Sequence, residues 1–163
     1  METHVNQRTA TVITASNRAS QGIYSDLSGQ SLKEGLVALG FNVSDPIIVA
    51  DDIDEISQEI AKALTNKARL IVTTGGTGVS PTDVTPEASA PFIEKHIPGF
   101  AEALRAYSRD KVPTSDLTRG LAGTHGSTLI INLPGSQGAV RDGLVIIERL
   151  AVHILDQLDG QDH

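Results

Sequence analysis

The chain has 163 residues, 39% of them hydrophobic and 20% charged, with a net charge of −7 at pH 7. That is material for one ordinary domain core, and an acidic balance without a basic run argues against non-specific nucleic-acid binding. Aromatics are 3% and cysteine is absent, which argues against a base-stacking surface and excludes disulfides, iron–sulfur ligation, thiolate zinc sites and a cysteine nucleophile.

The first eight residues are polar and carry no apolar h-region, so no signal peptide is read there. No stretch approaches the ~20 apolar residues of a membrane helix. The expectation is a soluble cytoplasmic protein forming a single domain over 1–163, with its core at about 9–158 and no repeats or linkers.

Residues 9–15 form a β-rich apolar run and are predicted as the first strand, followed by a polar loop over 16–28. Leu32, Leu36 and Leu39 have helical spacing over 30–39, and Gly40 stops that helix. A second strand is predicted over 41–49. Ile53, Ile56, Ile60, Ala63 and Leu64 share one face of a second helix. A third strand follows at 70–74, then a glycine loop and a short helix from Thr85 to about residue 94. Pro98 and Gly99 break the chain before a helix over 100–109. "TLIIN", 128–132, reads as a buried strand, and Val140, Leu144, Ile147, Ala151, Ile154 and Leu158 as one long amphipathic helix. Alternating strands and helices imply an α/β fold with a mostly parallel sheet covered on both faces. Ligands bind such sheets at the carboxyl ends of the strands.

Those ends hold the candidate sites. "TTGGTG", 73–78, presents bare backbone that either makes a tight turn or approaches an anion. It is no Walker A loop, since no Gly-Lys-Ser/Thr follows. It is a poor dinucleotide fingerprint, since Pro81 occupies the third glycine's place. Asp83 precedes Thr85, a plausible N-cap with Pro86 at the first helical position. Asp83 either favours that helix's positive end or holds magnesium against phosphates. In "VADDIDEI", 49–56, Asp52 and Glu55 suit a capping box, and Asp51 is left free on the same rim as Asp83. Two acids on one rim suggest a shared metal; capping is the plainer alternative for Asp51. In the loop after 128–132, Pro134 and Gly135 turn the chain and Ser136 suits the N-cap of the last helix, an anion-attracting end. Arg119 offers a fork of donors for phosphate, or is a solvated surface arginine. Ser16, Asp26 and Ser28 can face the same rim or be ordinary loop residues. The five histidines, His4, His96, His125, His153 and His163, show no metal-ligand spacing, and His153 reads as structural.

Taken together, "SNRASQGIYSDLSG", "IVADDIDEI", "TTGGTG", "DVTPEA", "IPGF" and "GSTLIINLPGS" resemble the molybdopterin adenylyltransferase family, of the Mog and MoaB type also found as a domain in gephyrin. The resemblance covers about 9–158, in order. It implies a three-layer α/β sandwich of the molybdopterin-binding kind, usually a homotrimer, and a cytoplasmic role in molybdenum cofactor biosynthesis. It implies magnesium-dependent transfer of AMP from ATP to the terminal phosphate of molybdopterin with release of pyrophosphate, the product then going to a molybdate-insertion protein. Asp51 and Asp83 map onto the catalytic and magnesium-holding carboxylates. Thr74, Gly75, Gly76, Thr77 and Gly78 map onto the nucleotide- and pterin-phosphate-binding loop. Ser127, Pro134, Gly135 and Ser136 fall where the family meets its substrates, as do Ser16 and Asp26, and Arg119 is a further pterin-orienting candidate. Four stretches depart from common members: Thr82 for arginine, Asn17 for aspartate, Thr124-His125-Gly126 for Ile-Arg-Gly, and Ala50 for the proline before Asp51.

Three rivals stand beside this reading. A carrier would bind molybdopterin without using ATP, and the changes at Thr82 and His125 lean that way. A nucleotide pyrophosphatase of related fold would need no pterin. A dinucleotide-dependent oxidoreductase is disfavoured by the missing third glycine.

Overall fold

The computed structural model describes residues 7–161; His4 and His163 lie outside the described residues. Its centre is a sheet ordered β2-β1-β4-β7-β6-β5, with β3 also pairing β1. The strands are β1 (Thr9–Ala15), β2 (Asn42–Val43), β3 (Ile47–Val49), β4 (Leu70–Thr74), β5 (Lys95–His96), β6 (Ala122–His125) and β7 (Thr128–Leu133). β2, β3 and β4 pair in parallel with β1, and β7 pairs in parallel with β4. β6 and β5 run antiparallel on the far side of β7.

Side chains alternate across the sheet because successive Cβ atoms point to opposite faces. Val12, Leu70, Val72, Leu129, Ile131 and Leu133 lie in one core cluster, and Ile13, Ile71 and Ile130 lie in the other. The first cluster is covered by α2 (Leu27–Ala38), α5 (Pro98–Ser108) and α6 (Gln137–Leu158). The second is covered by α3 (Ile53–Thr65) and α4 (Thr85–Ser89). The three layers expected from the alternating pattern are therefore present, and β4 and β7 are buried along their whole length.

Several boundaries differ from the sequence expectation. The single strand over 41–49 is two short strands, since Pro46 cannot donate to a ladder and opens a gap between β2 and β3. The loop over 16–28 contains the short helix α1 (Asn17–Ser20), and α2 begins earlier, at Leu27, because Asp26 caps it by accepting from Gly29 N–H. The helix from Thr85 ends at Ser89 and continues as a 3₁₀ turn over Ala90–Phe92, where Pro91 removes a donor. Val84, not Thr85, is the N-cap, and Pro86 is one place further in. β5 and β6 were not expected: two residues, and four residues with one glycine, are too short for a periodicity to show.

One buried amide ties the layers together. Asn132 on β7 donates to Thr73 Oγ1 at 2.9 Å and to Ser89 Oγ at 3.0 Å, and accepts from Leu121 N–H at 3.0 Å. Both amide hydrogens and the side-chain oxygen therefore have partners, as a buried amide requires.

Candidate active site

The carboxyl ends of β1, β3, β4 and β7 form one rim, and loops from each converge there. β4 ends at Thr74, whose hydroxyl donates to Pro134 O at 2.9 Å, joining the glycine loop to the loop after β7. Gly75 and Gly76 have φ of +98° and +69°, a region glycine enters at little cost. They also sit too close to their neighbours for any side chain. A Cβ on Gly75 would lie 2.3 Å from Ala15 O, and one on Gly76 would lie 2.4 Å from Thr85 Oγ1. Thr85 locks this turn from beneath, its hydroxyl donating to Gly75 O at 2.9 Å and its N–H to Gly76 O at 3.1 Å. Its side chain is used inward, so the capping role read from the sequence is replaced by a loop-locking one.

Gly75 N–H donates to Leu133 O, so the expectation that all four residues of 75–78 offer amides to an anion is corrected. Among the described residues, the N–H groups of Gly76, Thr77 and Gly78 have no acceptor. Thr77 itself is buried, its hydroxyl bonded to Thr118.

Asp51 and Asp83 each keep one carboxylate oxygen engaged and one free. Asp51 Oδ2 accepts from Asn17 N–H at 3.1 Å, and Asp83 Oδ2 accepts from Ser80 N–H at 3.0 Å. Among the described residues no donor meets either Oδ1. Burial pushes the Asp51 carboxyl above the usual carboxylate range; the bond from Asn17 opposes this and the Asp83 charge adds to it. Two like charges near one another with no basic side chain between them fit a hard divalent cation completed by substrate oxygens and water. The described residues hold no cluster of three or more metal-ligating side chains, so the protein alone would not cage such an ion.

Two clefts meet at this point. The smaller, about 380 Å³, is lined by Ser16, Tyr24, Asp26, Ser28, Asp51 and Gln137. The larger, about 560 Å³, is lined by Thr77, Gly78, Ser136, Lys111, Arg141 and Asp142, with a wall from the 3₁₀ turn over Pro113–Leu117. Gly75, Gly76, Asp83 and Gly135 line both. No lysine or arginine lines the smaller cleft, whereas Lys111 and Arg141 line the larger.

The structure brings most of the sequence candidates together and displaces two. Ser16 caps α1 by accepting from Ala19 N–H, and Asp26 accepts from Thr14 Oγ1 at 2.8 Å as well as capping α2. Ser28 donates to Gly135 O at 2.8 Å, joining the first loop to the last, and Ser136 caps α6 through Ala139 N–H. Ser127 lies elsewhere. It sits in the turn before β7, about 20 Å along that strand from the rim, with its carbonyl bonded to Arg69 Nε. The motif placed it beside a substrate loop in sequence, but a strand separates its two ends in space. Arg119 is neither a solvated surface arginine nor an open phosphate donor. Its Nε donates to Gly78 O at 2.8 Å, Nη2 to Asp83 O at 3.0 Å and Nη1 to Glu87 at 2.8 Å, so it braces the loop carrying Asp83. His153 is exposed on α6. The far wall of the larger cleft, including Lys111, Thr114 and Ser115, carried no sequence signal, because 110–118 has no periodicity and nears the site only through the packing of α5 on α6; Arg141 lies on the polar side of α6's first turns.

Residues 11–153 match the family model described as "Probable molybdopterin binding domain". A Helicobacter pylori protein named molybdopterin adenylyltransferase is 40% identical over 152 residues, covering 91% of this chain and 86% of its own. The solved structure of the molybdopterin biosynthesis Mog protein from Mycobacterium ulcerans is 44% identical, covers 93% of this chain and 99% of its own, and superposes with a TM-score of 0.87. A molybdopterin biosynthesis protein from Mycobacterium abscessus is 38% identical over 94% of this chain and 97% of its own, with a TM-score of 0.89. With the rim, the glycine loop and both carboxylates in place, this chain belongs to the molybdopterin-binding family of molybdenum cofactor biosynthesis proteins.

Proposed function

We propose that this chain is a molybdopterin adenylyltransferase, moving AMP from ATP to the terminal phosphate of molybdopterin. The observation that carries the proposal is the meeting of two clefts at Gly75, Gly76, Asp83 and Gly135, with two carboxylates that each keep a free oxygen. One substrate in each cleft brings two phosphate groups to the shared glycines.

A phosphate oxygen of molybdopterin attacks the α-phosphorus of ATP. The new P–O bond forms as the bond to the β-phosphate's bridging oxygen breaks, and pyrophosphate leaves with that electron pair. Phosphate is already a nucleophile at neutral pH, so the protein's contribution is positioning and charge neutralisation. The free N–H groups of Gly76, Thr77 and Gly78 donate to phosphate oxygens, with Thr85 and Arg119 holding the loop rigid. Arg141 offers positive charge in the larger cleft, and Lys111, paired with Asp142 at 2.7 Å, keeps further N–H donors there, while Ser136 and Pro134 complete the wall. Asp51 and Asp83 would hold magnesium, which would neutralise phosphate charge when bound. Homotrimer assembly, a cytoplasmic location and hand-over to a molybdate-insertion protein belong to the same reading through the family resemblance. Among the described residues no helix is long and apolar enough to cross a membrane.

The test is to supply molybdopterin, ATP and magnesium to the purified protein and follow pyrophosphate and adenylylated pterin together. Product should need both substrates and should vanish in Asp83→Asn, where the amide oxygen still accepts from Ser80 N–H and the fold is kept. Wild-type turnover in that variant would remove Asp83 from the chemistry. The carrier reading gains from Thr82, whose hydroxyl is bonded to Ser80 at a position where the family resemblance implies arginine. Tight pterin binding with no pyrophosphate would select it.

A further inference from the structure

Asp51 does not stand free at the end of β3. Its N–H donates to Asn17 Oδ1 at 2.9 Å, and its Oδ2 accepts from Asn17 N–H at 3.1 Å. The pair is reciprocal and joins chain segments 34 residues apart. It fixes the backbone and the carboxylate of Asp51 at once. Ser16 caps α1 and so holds Asn17 in place, and Ser16 N–H donates to Val49 O at 2.9 Å, tying the same turn to β3. With Oδ2 engaged, the carboxylate presents Oδ1, which lies 3.4 Å from the place a Cβ on Gly76 would take, at the junction of the two clefts.

We propose that Asn17 is a positioning residue that aims Asp51 Oδ1 at the divalent cation. The inference rests on the reading that Asp51 is a ligand to that cation. Removing a group that orients a metal ligand through a hydrogen bond typically costs about 10–100-fold in metal affinity. The side chain's chemistry adds a second consequence. An aspartate at 17 would accept the same N–H but bring another negative charge to a cleft already holding Asp26, Asp51 and Asp83. The amide keeps the aim while sparing the site that charge. This chain therefore binds the cation less tightly than its Asn17→Asp variant, and better than a variant with no acceptor at 17.

The probe is manganese(II), a hard divalent ion whose binding is read by electron paramagnetic resonance with a non-hydrolysable ATP analogue present. No turnover is needed. Asn17→Ala should raise the manganese Kd about 10-fold or more. Asn17→Asp should lower it below the wild-type value. Ser20→Ala, which removes only the bond from Ser20 Oγ to Asn17 O, should leave it unchanged and so separate aiming of Asp51 from general stiffness of α1. Unchanged binding in Asn17→Ala while Asp51→Asn loses it would overturn the positioning role and leave Asp51 as a ligand. Unchanged binding in Asp51→Asn would overturn the ligand reading itself. Equal weakening by Ser20→Ala and Asn17→Ala would also overturn the inference. Should Asn17→Ala not fold, Asn17→Asp decides alone: binding equal to or weaker than wild type refutes the inference, and tighter binding supports it.

Discussion

Gly76→Ala tests the architecture of the glycine loop with the smallest possible side chain. Two costs follow from the geometry. At a φ of +69° an alanine is held in the left-handed region, which costs about 1–2 kcal/mol. Its Cβ would lie 2.4 Å from Thr85 Oγ1, so that hydroxyl has to move and release its 2.9 Å bond to Gly75 O. Thr85 is fully buried, and leaving its partner unmatched costs about 1–3 kcal/mol. The expected loss is about 2–5 kcal/mol, seen as a melting temperature lower by roughly 5–15 °C for a chain of this size. The two costs separate in a double-mutant cycle by urea denaturation. Thr85→Ala alone should lose the hydrogen-bond share. In that background Gly76→Ala should cost only the backbone share, giving a coupling of about 1–3 kcal/mol. If Gly76→Ala costs the same with and without the Thr85 hydroxyl, the contact between them is not what excludes a side chain, and the account of the loop fails.

Arg119→Lys keeps the charge but can satisfy only one of the three acceptors on Gly78, Asp83 and Glu87, so it should cost about 1–2 kcal/mol and lower kcat more than it raises KM. Stability and turnover both at wild-type values would show that the brace is idle. Acid should weaken the fold through Asp142 and Asp159. Burial would raise the Asp142 carboxyl, but its bonds from Lys111 and Ser108 outweigh it and hold the group below the usual range, as the bonds from Arg8 and Arg69 do for Asp159. A depressed folded pKa stabilises above the ordinary carboxylate value of about 4 and loses that contribution as pH falls through the folded value. Asp142→Asn should therefore flatten the acid limb of melting temperature against pH. Asp51 has the opposite sign: its raised pKa penalises the ionised fold at neutral pH, and the penalty fades on acidification. Metal-free Asp51→Asn should thus melt above wild type at pH 7, the gap closing toward pH 4; a lower melting temperature at neutral pH would contradict that sign.

Much of this protein follows from local chemistry. Runs such as "TLIIN" and the 3.6-residue spacing of Val140, Leu144, Ile147, Ala151, Ile154 and Leu158 depend only on which faces must be buried, so they name β7 and α6 without a fold. Asp52 and Ser136 cap their helices through residues three places on, a distance the sequence displays directly. The parallel sheet then sets Asp51, the glycine loop and Pro134 on one rim, because strands running the same way end on the same side. What sequence order cannot express is which partner a polar group finds across the sheet. Thr85 turned to the carbonyl of Gly75, ten residues back, instead of capping α4. Arg119 found acceptors 32 to 41 residues away, and Asn17 found Asp51 across 34. Ser127, near the start of the "GSTLIINLPGS" stretch, was carried to the opposite end of the sheet from Pro134 by the length of β7. Burial and helix periodicity are properties of neighbouring residues and fix the elements. The aim of each free carboxylate oxygen on the rim depends on groups that meet only when the layers pack, and that was settled by the tertiary structure.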